Sequence, residues 1–175
     1  VKAYRKKVQI LVLAIIVLIG GFVIYDSLMP QGKGVTLNVG DQVPSFKLTS
    51  IHDEYITLED YNGTPLVLNF WGTFCEPCKR EMPAIEAQHI KWKAYGVQFL
   101  GINLSEDKIT AANYAKNRVT YPIALDVNRV IEKRYGLRSY PTTFFINADG
   151  SLNSVVSGEM TEPMLEQHIS ELVNH

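Results

Sequence analysis

Hydrophobic and polar positions divide the chain into two regimes. Residues 8–25, VQILVLAIIVLIGGFVIY, are apolar on every side, with Gln9 the only strongly polar side chain. Beyond them the pattern alternates between short apolar runs and amphipathic stretches. Leu66-Val67-Leu68-Asn69-Phe70-Trp71 is too short for a helix and is bounded by Pro65 and Gly72, so it predicts a buried central strand. A helix is expected from Glu76 to Tyr95, ended by Gly96. Val97 to Ile102 reads as a strand, Asp107 to Asn117 as a helix capped by Ser105, Ile123 to Leu125 as a short strand, and Arg129 to Tyr135 as a short helix stopped by Gly136. Thr143 to Ile146 and Leu152 to Ser157 flank the turn Asn147-Ala148-Asp149-Gly150 as a hairpin, and Glu162 to Val173 forms a last amphipathic helix opened by Thr161. That order of elements predicts an α/β fold with a mixed sheet and helices on both faces.

The first run predicts an N-terminal transmembrane helix. Eighteen helical residues rise about 27 Å, enough to cross the hydrocarbon of a bilayer. A cleaved signal peptide needs a shorter run and small residues at an A-x-A-like site, whereas this run leaves through Asp26-Ser27-Leu28-Met29-Pro30. No cysteine follows closely enough for a lipid anchor. A buried core helix is excluded by the absence of a polar face and by Lys2, Arg5, Lys6 and Lys7 at its start. The positive-inside rule keeps those charges in the cytoplasm and sends the rest of the chain across. The expected organisation is a basic cytoplasmic segment 1–7, a signal-anchor over 8–25, a tether over 26–42 rich in Gly and Pro, and an extracytoplasmic domain over 43–175.

Composition supports one folded domain, with 46% apolar and 20% charged residues among 175. Setting aside the four N-terminal cations leaves thirteen basic against eighteen acidic residues, a formal net charge of −5. Such a surface argues against nucleic acid as a partner. There is no internal repeat and no low-complexity segment.

The chemistry lies in Asn69-Phe70-Trp71-Gly72-Thr73-Phe74-Cys75-Glu76-Pro77-Cys78-Lys79, which holds both cysteines of the chain. Cys75 falls where a buried strand ends and a helix begins, and free backbone N–H groups with the helix dipole favour a negative sulfur there. Cys78 lies one helical turn later on the same side and can close a small disulfide with it, and Pro77 suits the first turn. A structural zinc site wants four ligands, but His52, His89, His168 and His175 are scattered, so no metal is expected. As a purely structural staple so short a loop removes little chain entropy. Redox chemistry is the reading that remains, with no cofactor beyond the two sulfurs.

This stretch resembles the active site of thioredoxin-like proteins, and Tyr140-Pro141-Thr142-Thr143 resembles their cis-proline loop. The resemblance is closest to the membrane-anchored TlpA/ResA-type thiol-disulfide oxidoreductases, which share the apolar anchor, the Gly40-Asp41-Gln42-Val43-Pro44 opening, the Cys-Glu-Pro-Cys pair and Glu81. It implies a thioredoxin-like fold and a reductant that opens the disulfide of apocytochrome c before haem attachment, with electrons from a CcdA-like membrane protein. A sister role is reduction of another envelope or sporulation client.

Around the cysteines, Asn69 stands where thioredoxins usually carry a buried Asp, and Glu81, three residues after Cys78, can act as proton acceptor in its stead, unless it is a solvated helix residue. Glu81 and Glu76 are expected to oppose thiolate formation, which makes the couple more reducing, while Lys79 and Arg80 point to solvent. The resemblance implies a cis bond at Pro141, against an ordinary strand-edge proline, with the backbone of Tyr140 open to a substrate strand. Trp71, Phe74 and Tyr140 are candidates for an apolar rim, Trp71 equally for the core, and Asp126 is either a second acid near the site or a loop cap. A peroxiredoxin-type peroxidase would need Thr and Pro where this chain has Gly72 and Leu68. A copper-binding metallochaperone would need wider cysteine spacing and a late His, and none lies between His89 and His168.

Overall fold

The computed structural model describes residues 5, 7, 12–21 and 37–174. Two compact units are present, Val1–Lys33 and Gly34–His175. In the first, residues 12–21 are helical and the apolar side chains from Val12 to Ile19 are exposed. The membrane span expected over 8–25 lies outside the described residues at 8–11 and 22–25. Among the described residues no helix is long and apolar enough to cross a membrane. The tether expected over 26–42 lies outside them up to residue 36. From Leu37 onward the chain joins the second unit, where the Gly40 amide donates to the Leu152 carbonyl and the Leu152 amide to Asp41.

That unit is built on seven strands: β1 (Lys47–Ser50), β2 (Tyr55–Thr57), β3 (Leu66–Trp71), β4 (Gln98–Leu104), β5 (Ile123–Asp126), β6 (Thr142–Ile146) and β7 (Leu152–Ser157). Its helices are α1 (Glu76–Trp92), α2 (Lys108–Ala115), α3 (Val130–Arg134) and α4 (Glu162–Val173). The spatial order is β2-β1-β5-β4-β3-β6-β7. β3, β4 and β5 run parallel, and the pairs β3·β6, β6·β7, β1·β5 and β1·β2 are antiparallel. The mixed sheet with helices on both faces agrees with the alternation of patterns in the sequence.

All six residues of β3 are buried, because the strand is central and both of its faces are covered. Val67 and Trp71 point into a cluster with Cys78, Met82 and Ile85 of α1 and Leu165 and Ile169 of α4. Leu66, Leu68 and Phe70 point the other way, onto Ile131 of α3 and Tyr135 at its end. Close approach fixes one glycine. A Cβ on Gly101 of β4 would lie 2.6 Å from Ile123 Cδ1 and 3.0 Å from Trp71 Nε1, so the indole occupies the space that a side chain would need.

The differences from the sequence expectation include one helix end, one helix cap and one pair of strands. The helix begun at Glu76 ends at Trp92, and Lys93–Tyr95 tightens into a 3-10 turn before Gly96. α2 is capped by Asp107, whose carboxylate accepts from the Thr110 amide at 2.9 Å, rather than by Ser105. The pair β1·β2 was not anticipated. Its strands are too short for a strong period-two signal, and they close through Asp53 in the left-handed region at φ 68°.

Candidate active site

β3 delivers the chain to the cysteines through Gly72-Thr73-Phe74, a turn in which the Cys75 amide donates to the Gly72 carbonyl at 3.1 Å. Cys75 then serves as N-cap of α1 with extended backbone, and its sulfur accepts a hydrogen bond from the Cys78 amide at 3.2 Å. Pro77 occupies the first turn, where its missing N–H costs nothing. The two sulfurs are joined as a disulfide. Cys75 is 7% exposed and Cys78 2%, so the sulfur held by the helix terminus is also the one nearer solvent. This is the arrangement that an attacking Cys75 and a resolving Cys78 require.

Glu81 is not a solvated helix residue. It is 1% exposed, and neither carboxylate oxygen has a hydrogen-bond partner among the described residues. Burial pushes its pKa up to about 8; the Met160 amide facing it works against that rise, and the charge of Glu159 adds to it. The carboxyl is therefore mostly neutral at pH 7, a proton store one turn from Cys78 rather than a standing charge, which corrects the expectation that it suppresses thiolate electrostatically. A group titrating near 8 is close to an ordinary thiol and can exchange a proton with one at little cost.

Glu76 also differs from expectation. Its carboxylate is ion-paired with Lys79, so its charge is largely compensated, and Lys79 is folded back rather than directed to solvent. Arg80 is held by Glu159 at 2.6 Å. Trp71 is fully buried and forms no part of a substrate rim. Phe74 is 56% exposed, with its ring folded over Gly72 and edge-on to Tyr140 at a centroid distance of 6.0 Å. The Tyr140–Pro141 bond is cis. Since Phe70 of β3 pairs with Thr142 of β6, Pro141 lies beside the strand end that leads to Cys75. Asp126 is a loop cap: its two oxygens accept from the Val130 and Glu132 amides, each at 2.8 Å, at the start of α3.

Sequence reasoning passed over two features. Asn69 donates its side-chain amide to the Thr143 hydroxyl at 2.9 Å, a fully internal pair on the cysteine side of the sheet. Glu106 accepts from the Thr73 amide at 2.9 Å and from Asn103 at 2.6 Å, so it holds the turn before the cysteines. Its position just beyond β4 was a usable signal, because functional loops of α/β folds gather at the carboxyl ends of parallel strands.

Comparison with known proteins agrees with this geometry. The AhpC/TSA family model matches residues 39–155. Thiol-disulfide oxidoreductase ResA of Bacillus subtilis (strain 168) is 36% identical over 160 residues, covering 91% of this chain and 88% of that protein. Its counterpart from Geobacillus kaustophilus is 31% identical over 172 residues, 98% of each. Among solved structures, one described as a thiol:disulfide interchange protein DsbE from Chlorobium tepidum superposes with a TM-score of 0.74 at 27% identity, covering 79% of this chain and 99% of that one. StoA from Bacillus subtilis superposes with a TM-score of 0.63 at 27% identity, over 72% and 96%. With its paired Cys75 and Cys78 on a thioredoxin-like sheet, the chain belongs to the AhpC/TSA family and, within it, to the ResA-type thiol-disulfide oxidoreductases.

Proposed function

We propose that the protein works as an extracytoplasmic reductant, anchored through residues 8–25, that opens the disulfide of apocytochrome c before haem attachment and is recharged by a CcdA-like membrane donor. The observation that carries the chemistry is the buried carboxyl of Glu81 one turn from Cys78, which provides for the proton that the resolving step must move; the reducing direction is taken from the resemblance to ResA-type proteins. Support for the client and the location comes from the likeness to ResA proteins and from the apolar run behind four N-terminal cations.

The Cys75 thiolate attacks one sulfur of the client disulfide, that S–S bond breaks, and a mixed disulfide forms while the departing client sulfur takes up a proton. Cys78 then gives its proton to the ionised fraction of Glu81 and attacks Cys75 Sγ. The mixed bond breaks, the second client sulfur leaves as a thiolate and takes up a proton from water, Glu81 releases to water the proton it accepted, and the Cys75–Cys78 disulfide closes. Two electrons pass from enzyme to client, and a dithiol donor must return two electrons and two protons.

Deletion of the protein followed by staining for covalent haem tests the client. The expected result is loss of c-type cytochromes, restored when the dedicated envelope oxidant is also removed. Normal haem staining would transfer the assignment to another envelope or sporulation disulfide. N-terminal sequencing of the membrane fraction tests the anchor, and a mature chain starting near Gln31 would refute it.

A further inference from the structure

The residue before Pro141 is held in an unusual way. Neither the N–H nor the C=O of Tyr140 makes a hydrogen bond among the described residues, although its neighbours are engaged: Thr142 pairs with Phe70 and Ser157, and the Pro141 carbonyl accepts from Gly158. An open backbone edge beside the reactive disulfide is what an incoming strand needs, provided that the edge stays in one place. The segment 137–141 has no regular structure of its own to keep it there.

What fixes it is the side chain. The Tyr140 hydroxyl donates to Glu132 and accepts from Arg129 Nη2 at 2.6 Å. Arg129 also grips the same carboxylate in a two-point fork, through Nε and through Nη2 at 2.7 Å. Glu132 is 6% exposed, and its own amide is tied to Asp126 at the end of β5. Arg129 adopts the left-handed region at φ 57°, its amide donating to the Asp126 carbonyl at 3.1 Å. A continuous chain of contacts thus runs from the sheet through Asp126 and Glu132 to the phenol. An exposed ion pair alone adds little to stability, so the cost of burying Glu132 points to a role beyond holding α3.

We infer that Arg129 and Glu132 are positioning residues, and that by clamping the Tyr140 phenol they hold the open Tyr140 backbone edge ready for the client strand attacked by Cys75. This rests on the reading above that a client peptide is the substrate, and it adds residues distant in sequence from the cysteines. The clamp also sets the Tyr140 ring against the exposed ring of Phe74, the residue before Cys75. Its protonation is stable near neutrality: burial and the Glu132 hydrogen bond raise the phenol, while burial pushes Glu132 up but the hydrogen bonds from Arg129 and Tyr140 outweigh it and hold the carboxyl below its ordinary value.

The test compares reduction of a synthetic peptide closed by a Cys-x-x-Cys disulfide with reduction of oxidised glutathione, which is too small to pair along the edge. In Tyr140→Phe the ratio of kcat/KM for the peptide over glutathione should fall about fivefold, chiefly through KM, the loss expected for one hydrogen bond's worth of preorganisation. Glu132→Gln should lower it in the same direction, and the double variant should be no worse than the poorer single one, because both break one chain. Tyr140→Phe leaves the Arg129–Glu132 pair in place and carries the test if Glu132→Gln folds poorly. A wild-type preference for the peptide that survives both substitutions would overturn the proposal, as would an equal fall for both substrates through kcat. Absence of any wild-type preference would instead remove the reading on which the proposal rests, and the clamp's role with it.

Discussion

The backbone amide of Cys78 donates to the sulfur of Cys75 at 3.2 Å, so the two cysteines are linked by a hydrogen bond as well as by a covalent one. After reduction the same amide, at the positive end of α1, remains aimed at Cys75 and favours its thiolate, whereas Cys78 lies deeper within the turn. Alkylation of the reduced protein should therefore modify Cys75 first. Cys75→Ala should abolish reductase activity, and Cys78→Ala should accumulate mixed disulfides visible on non-reducing gels. Equal labelling of both sulfurs would count against this order.

Asn69 and Thr143 form an internal polar pair across β3 and β6, each at most 2% exposed. Thr143→Val keeps the shape but leaves the Asn69 amide without its acceptor, which should cost about 1–3 kcal/mol in urea denaturation. Asn69→Asp places a carboxylate at the same buried spot. Burial raises its pKa, so that variant should be destabilised at neutral pH and should recover as the pH falls and the acid becomes neutral. A variant with wild-type stability at pH 7 would mean that water reaches the site.

Gly101 leaves room for Trp71. A methyl group there meets Ile123 Cδ1 at 2.6 Å, which can rotate away, and Trp71 Nε1 at 3.0 Å, which cannot move without disturbing the packing beneath the cysteines. Gly101→Ala should cost about 1–3 kcal/mol by overpacking. In a Trp92→Phe background it should also shift the emission of Trp71. Unchanged emission would show that Ile123 alone absorbs the clash.

The fold was legible where burial imposes a period. β3 reads as a strand because both faces are covered, and α1 and α4 show their amphipathic stripes. The edge pair β1·β2 was not, since three or four residues half exposed leave no clear alternation. Cys75, Cys78 and Pro77 could be placed from local sequence alone because their roles depend on a strand end and a helix start. Trp71 could not be assigned, because an aromatic at that strand end serves core or rim according to what packs above it, here α1. The groups that hold the site, Glu106 just beyond β4 on Thr73 and Glu132 of α3 on Tyr140, come from other elements and become neighbours only after the sheet is assembled.

Glu81 makes a prediction about stability and one about rate, and the two concern the same proton. The folded oxidised protein keeps the carboxyl protonated up to about pH 8, whereas the unfolded chain releases that proton near the ordinary 4.5. The unfolded state thus binds fewer protons across this window. Stability attached to the group is intact below about pH 4.5 and is lost progressively as the pH rises to 8, by at most about 1.4 kcal/mol per unit. Glu81→Gln, which cannot ionise, should flatten that decline and should be more stable than wild type above pH 8, as read from urea midpoints at a series of pH values. Its turnover should move the other way. The wild-type rate of the resolving step should rise with pH to a midpoint near 8, and Glu81→Gln should lose that ionisation and about 10²-fold in rate, the lower end for general base catalysis. A variant that is both more stable at high pH and slower shows one buried carboxyl kept for chemistry at the expense of the fold. If wild-type turnover persists in Glu81→Gln, Cys78 gives its proton elsewhere and the role assigned to Glu81 is withdrawn.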